Sequence, residues 1–163
     1  MRQQTIAGST PALRFLLDHQ VDFSCHAYRY EEHGGTATPA RELNVDEHSI
    51  IKTLLFEDQD GLPLVVLMHG DRKVSTKELA RQLPCKKVQA CKPDVANRHS
   101  GYLVGGTSPF ATRTPMPVYM EASILQLQQV FINGGRRGLQ VAMSPLDIGR
   151  LLQARCVEVA LEK

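Results

Sequence analysis

Lys52 is the one charged side chain in an otherwise apolar run, Ser49-Ile50-Ile51-Lys52-Thr53-Leu54-Leu55-Phe56. Such a run suits a strand buried on both faces. Side chains alternate along a strand, so Lys52 shares a face with Ile50, Leu54 and Phe56, while Ile51, Thr53 and Leu55 take the other. A lysine so placed has three outlets: water at a sheet edge, an anionic partner, or a pocket that receives a charged ligand. Two glycine-rich stretches bear on the choice, Gly105-Gly106-Thr107-Ser108-Pro109 and Asn133-Gly134-Gly135-Arg136-Arg137-Gly138. Glycines let backbone amides approach a ligand, and consecutive amides around a bend form an anion or oxyanion nest. Each stretch alone also serves as a tight connector. With Lys52, the two predict one pocket holding backbone donors and a single cation.

Other chemistries lack their spacing. The histidines, His19, His26, His33, His48, His69 and His99, form no H-x-x-x-H or H-E-x-x-H arrangement. No Cys/His cluster has zinc spacing, so neither a metal nor another cofactor is expected. No G-x-S-x-G elbow presents a serine. Cys25, Cys85, Cys91 and Cys156 show no C-x-x-C pair, which predicts reduced thiols in a cytoplasm.

The elements that must position these residues belong to a chain of 163 residues with 42% hydrophobic side chains, sized for a single domain over 1–163. Residues 1–9 read as a loose tail. No apolar run approaches the ~18–20 residues of a membrane span, and the start has no signal core. The expectation is a soluble, unexported protein with no membrane partner. Thr10-Pro11 caps a helix over 10–20, and alternation predicts a strand over 21–30. Thr38-Pro39 is read as the start of a second helix through Leu43. The Lys52 strand turns at 58–61 into a partner strand over 62–68. Ser75-Thr76-Lys77-Glu78 reads as a capping box for a helix stopped by Pro84.

Downstream, short strands are expected at 87–90, 118–120, 130–132, 139–143 and 156–160, with another from Tyr102 that breaks into the glycine loop. Helices are expected at 93–99, 122–128 and 144–152. Strands outnumber helices and no regular βαβ series appears, which predicts an α+β domain with a curled mixed sheet.

Charge is unevenly spread. Residues 1–70 hold ten acidic and five basic side chains, net −5, and residues 71–163 hold seven and fourteen, net +7. Nine basic residues fall between Asp71 and Arg113, a footprint for a polyanion or an ordinary solvated surface.

Taken together, the motifs Thr10-Pro-Ala12, His26-Ala-Tyr28, Ile51-Lys-Thr-Leu-Leu55, Lys86-Lys-Val88, Ser100-Gly-Tyr-Leu-Val-Gly-Gly-Thr-Ser-Pro109 and Gly134-Gly-Arg-Arg-Gly-Leu139 resemble the YbaK/EbsC family of aminoacyl-tRNA trans-editing proteins. The resemblance is strongest to its Cys-tRNA(Pro)/Cys-tRNA(Cys) deacylase branch. It implies a compact, barrel-like mixed sheet with surrounding short helices. It also implies removal of cysteine from mischarged tRNA(Pro), with Lys52 as the essential residue. Tyr28, Thr53, Gly105, Gly106, Thr107, Ser108, Pro109, Asn133, Gly134 and Gly135 match positions around the ester. Such members are thought to use the substrate's own thiol as nucleophile, which accounts for the lack of a protein nucleophile. The implied partners are the 3′ end of aminoacyl-tRNA and a prolyl-tRNA synthetase. The alternatives are editing of Ala-tRNA(Pro) or another small mischarged residue, and a non-catalytic module that binds tRNA or a synthetase. Three places depart from the family pattern: Asn133 stands where serine is common, Gln140 where some members are acidic, and 36–43 diverges.

Overall fold

The computed structural model describes residues 9–162, so all but the last residue of the expected 1–9 tail lies outside the described residues. Helix α1 (Pro11–Asp18) starts where Thr10 turns extended and its side-chain oxygen accepts the Leu13 amide, with Pro11 preset for the first helical position. Ala12, Leu13 and Leu16 are fully buried. Eight residues are too few to hold a helix by propensity, so the contact of this face with the sheet seats it. Full burial of each leucine contributes about 1.5–3 kcal/mol.

Strand β1 (Phe23–Ala27) is followed by α2 (Ala37–Leu43) and a 3-10 turn (Glu47–Ser49). Next come β2 (Ile50–Asp58), β3 (Pro63–His69), β4 (Arg72–Val74) and α3 (Thr76–Gln82). Then follow β5 (Val88–Ala90), α4 (Pro93–Ser100), β6 (Val118–Glu121) and a second 3-10 segment (Ala122–Gln126). The chain ends through β7 (Val130–Asn133), β8 (Leu139–Met143), α5 (Pro145–Leu152), β9 (Arg155–Val157) and β10 (Ala160–Glu162).

The main sheet runs β1-β8-β7-β2-β3-β6-β9, with β5 added to β2 off this path, while β10 and β4 form a separate pair. It is mixed: β1/β8, β7/β8, β2/β3 and β2/β5 are antiparallel, and β2/β7, β3/β6 and β6/β9 are parallel. Its path is open, with β1 and β9 at the ends. One face packs Ile51, Leu67, Ile132 and Val141 against α1, Tyr102 and Phe110. The other carries Phe56, Val66 and Met68 against Leu79 and Ala80 of α3, and Ile50, Phe131 and Ala142 against Ala40 of α2. This is the α+β domain with a mixed sheet and short helices that the residue pattern predicts.

Local details differ. Helix α2 begins after Thr36, not at Thr38-Pro39, because the Thr38 hydroxyl is spent on the Glu31 carboxylate at 3.0 Å and so does not cap. Pro39 fits inside the first turn, where a missing N–H breaks no helical bond. Only half of the expected capping box forms on α3. Ser75 accepts the Glu78 amide, but the Ser75 amide donates to Val159 and the Glu78 carboxylate turns to Arg81 and Gln82. Tyr102 to Val104 is loop and not strand, because Asn97 takes the Val104 amide and Gly106 closes a turn onto Leu103. The expected last strand splits in two at Glu158, whose amide and carbonyl are both held by the Gln82 side chain. Strand β4 was not expected.

Candidate active site

Strand β2 pairs with β3 from Ile51 to Glu57, but its other edge is shared. There β7 takes Ile50 and Ile51, and β5 takes Phe56 to Asp58. The middle of the strand, Lys52 to Leu55, has no strand partner on that side; only the Leu55 carbonyl is met, by the Cys91 amide at 3.0 Å. A cavity of about 660 Å³ opens along this gap. Because the sheet is interrupted there, the cavity reaches both of its faces, with Lys52 and Leu54 on one and Thr53 and Leu55 on the other.

Register assembles the polar residues. Ile51 lies opposite Ile132, so the next step along both strands brings Lys52 and Asn133 to the same face. Asn133 lies opposite Gln140, and Gln140 opposite His26. Tyr28 follows two residues later on that face, its amide bonded to the Gly138 carbonyl. Neighbouring strands thus present Lys52, Asn133, Gln140 and Tyr28 to one cavity. Burial pushes the Tyr28 phenol above its usual range, partly offset by a hydrogen bond from Gln140. The Lys52 ammonium donates to the Arg72 carbonyl on β4 at 2.5 Å, which uses one of its three N–H groups and fixes its direction.

The two glycine loops touch. Asn133 donates through Nδ2 to the Gly105 carbonyl at 3.1 Å, and Arg137 Nε to the Val104 carbonyl at 3.0 Å. A Cβ at Gly106 would stand 2.8 Å from backbone atoms of Arg136 and Arg137, so only glycine permits this approach. Gly106→Ala is therefore expected to force the loops apart and cost about 1–3 kcal/mol, read as a lowered midpoint in denaturant unfolding. An unchanged midpoint would show that the contact is dispensable.

The sequence-selected residues divide. Tyr28, Lys52, Thr53, Gly105, Thr107 and Asn133 line the cavity. Gly106, Ser108, Pro109, Gly134 and Gly135 stand behind it. Ser108 is fully buried and accepts the Phe110 amide. Gly134 receives the Thr10 hydroxyl on its carbonyl. The amides of Gly135 and Arg136, which would make an anion nest, are taken by Asn133 Oδ1 at 2.7 and 3.1 Å.

Sequence reasoning did not select Tyr30, Cys91 or Arg137 and noted Gln140 only as a departure from the family pattern; all four line the cavity, and Arg137 makes a second cation where one was expected. Tyr30 continues the alternation of Tyr28, and Gln140 is a polar misfit in an apolar strand, the same signal that singled out Lys52. Burial raises the Cys91 thiol above its usual range, which disfavours the thiolate and a nucleophilic role.

The aminoacyl-tRNA editing domain model matches residues 31–151, most of the chain and nearly all of this site. The chain belongs to that family. The editing domain here is 24% identical to the candidate Cys-tRNA(Pro)/Cys-tRNA(Cys) deacylase EbsC of Enterococcus faecalis, over the full length of both. A segment covering 41% of the chain is 30% identical to a proline–tRNA ligase of Syntrophotalea carbinolica, of which it spans 12%. The fold superposes with a TM-score of 0.84 on a crystal structure described as a candidate trans-editing enzyme for prolyl-tRNA synthetase, at 16% identity, covering 97% of this chain and 99% of that one. Among the described residues no helix is long and apolar enough to cross a membrane.

Elsewhere in the editing domain the fold gathers His48, His69 and Asp71, which no sequence spacing signalled. His69 Nδ1 donates to the His48 carbonyl at 2.7 Å, Nε2 faces Ser123 Oγ at 2.7 Å, and burial lowers its pKa, keeping it neutral. The two rings stack at 3.7 Å and 6°. Imidazole lone pairs lie in the ring plane, so parallel stacked rings do not converge on one ion. The cluster ties β3 to both 3-10 segments.

Proposed function

We propose that this protein is a trans-editing deacylase that removes mischarged cysteine from tRNA(Pro). The observation that carries the reading is the convergence of Lys52, Asn133 and the Gly105 loop on one cavity at the interrupted edge of β2. The full-length likeness to EbsC supports cysteine as the amino acid. In this reading the cysteinyl ester enters along the gap. The substrate thiolate attacks the ester carbonyl carbon, the acyl–oxygen bond to the terminal ribose breaks, and the ribose oxygen leaves with a proton as a cyclic thiolactone forms. The protein orients the ester and stabilises the developing oxyanion through the Lys52 ammonium in a partly desolvated cavity. Thr53, Tyr28, Thr107 and Asn133 frame the aminoacyl group, and Gly106, Ser108, Pro109, Gly134 and Gly135 hold the loops that shape it.

A panel of Cys-, Ala- and Ser-tRNA(Pro) tests the assignment. Preferential release of cysteine is expected; faster release of alanine would move the protein to the Ala-tRNA(Pro) branch, and binding without turnover on every member would make it a binding module.

The basic residues between Asp71 and Arg113 are proposed to track the tRNA backbone, with a prolyl-tRNA synthetase in the cytoplasm supplying tRNA identity. Arg72 and Arg81 are already paired with Asp71 and Glu78. If the remainder neutralise phosphates, tRNA affinity falls with rising salt at a log–log slope of roughly −0.7 to −0.9 per contact. A flat salt dependence in a filter-binding titration would remove this surface from the account.

A further inference from the structure

Among the described residues, two buried polar side-chain atoms lack a hydrogen-bond partner: Thr53 Oγ1 and Gln140 Oε1. Both residues line the cavity. Gln140 is the more demanding, being only 5% exposed. The large majority of buried polar groups are satisfied in native proteins, and an orphan in the wall of an open cavity is completed by water or by the ligand that displaces it. An amide oxygen only accepts, so the missing group is a donor.

No neighbour supplies it in the structure. The Gln140 side chain lies within hydrogen-bonding reach of the Tyr28 hydroxyl, and its oxygen is the atom left without a partner. Asn133, directly opposite on β7, has its nitrogen on Gly105 and its oxygen on the amides of Gly135 and Arg136. His26, opposite on β1, has Nε2 against Ser24. On an aminoacyl ester the strongest donor is the α-ammonium group, which carries charge as well as N–H bonds. Glu32 is the carboxylate nearest to a rival, since it also lines the cavity, but its side chain is 78% exposed and its field is screened by water.

We propose that Gln140 Oε1 is the acceptor for the α-ammonium of the bound aminoacyl group, so that the site reads a free amine and passes over N-acylated aminoacyl-tRNA. The inference rests on the aminoacyl-ester reading of the cavity. It makes Gln140 a substrate-positioning residue: the ammonium is anchored beside Tyr28 and Asn133, and the ester is thereby held at a fixed distance from the interrupted edge of β2.

The test is calorimetric binding of two non-hydrolysable amide-linked adenosines, 3′-cysteinylamino-3′-deoxyadenosine and its des-amino counterpart, to wild type, Gln140→Met, Gln140→Glu and Glu32→Gln. Wild type is expected to prefer the free amine by about ten- to hundredfold, the range for a hydrogen bond to a charged group. Gln140→Met should bring that ratio close to one. Gln140→Glu, which keeps acceptors and adds charge, should preserve or widen it, and Glu32→Gln should leave it unchanged. Equal binding of both ligands by wild type overturns the assignment, as does a preserved ratio in Gln140→Met. Loss of the preference in Gln140→Glu also overturns it, because the amide nitrogen would then be the group facing the ligand. If wild type binds neither adenosine, the aminoacyl-ester reading itself falls; if it binds both alike, only the role of Gln140 does.

Discussion

Lys52→Ala is expected to lower kcat/KM for Cys-tRNA(Pro) by about 10²–10³-fold, the usual loss when one donor to a developing oxyanion is removed. The argument begins with position. Lys52 sits at the start of the only stretch of β2 that no strand covers on its β7/β5 side, and it lines the cavity there. Its ammonium is directed by the Arg72 carbonyl, so it is placed before substrate arrives and little reorganisation is needed. Removing the ammonium takes the donor from the Arg72 carbonyl on β4, and that bond contributes about 0.5–1.5 kcal/mol. Thermal unfolding therefore separates the two roles: a large kinetic loss with a small shift in Tm assigns Lys52 to the chemistry. Lys52→Met, which keeps the aliphatic stem, should behave like the alanine variant. Retained activity in either would remove Lys52 from the mechanism.

The second large effect concerns the substrate. If the cysteinyl thiol is the nucleophile, Ser-tRNA(Pro) should be deacylated more than about tenfold more slowly than Cys-tRNA(Pro), because a hydroxyl is barely ionised near neutral pH while a thiol with a pKa near 8.5 supplies some thiolate. The rate on Cys-tRNA(Pro) should also climb with pH and level off as the substrate thiol titrates. The thiolate must come from the substrate in this account, since burial keeps the Cys91 thiol protonated. Equal rates on the two esters, measured under single turnover, would replace substrate assistance with ordinary hydrolysis.

What the sequence made legible was local misfit. Lys52 in an apolar strand stood out because a charge there violates the burial pattern of its neighbours, and the glycine pairs stood out because they permit close backbone approach. Both signals reside within a few residues. The contact between the loops was inferable only as a shared design, and the 2.8 Å constraint at Gly106 depends on where Arg136 and Arg137 lie in space. The gap in β2 was not legible at all, since it arises from β7 and β5 covering different halves of one edge, a matter of long-range pairing.

Elsewhere, tertiary partners overrode local rules. Thr38 resembles an N-cap until Glu31 claims its hydroxyl, and Tyr102 to Val104 resembles a strand until Asn97 claims the Val104 amide. His48, His69 and Asp71 meet through a stacked pair that leaves no spacing signature. Gln140 carried the same signal as Lys52, a polar residue in an apolar strand, but a neutral amide is a weaker misfit than an ammonium.

The most direct test of the central claim is a time course of Cys-tRNA(Pro) carrying labelled cysteine, mixed with wild-type protein at stoichiometric concentration. Deacylation by the cavity at β2 predicts rapid loss of label from the tRNA, well ahead of spontaneous ester decay. Label that persists at the protein-free rate while the tRNA is bound would contradict it.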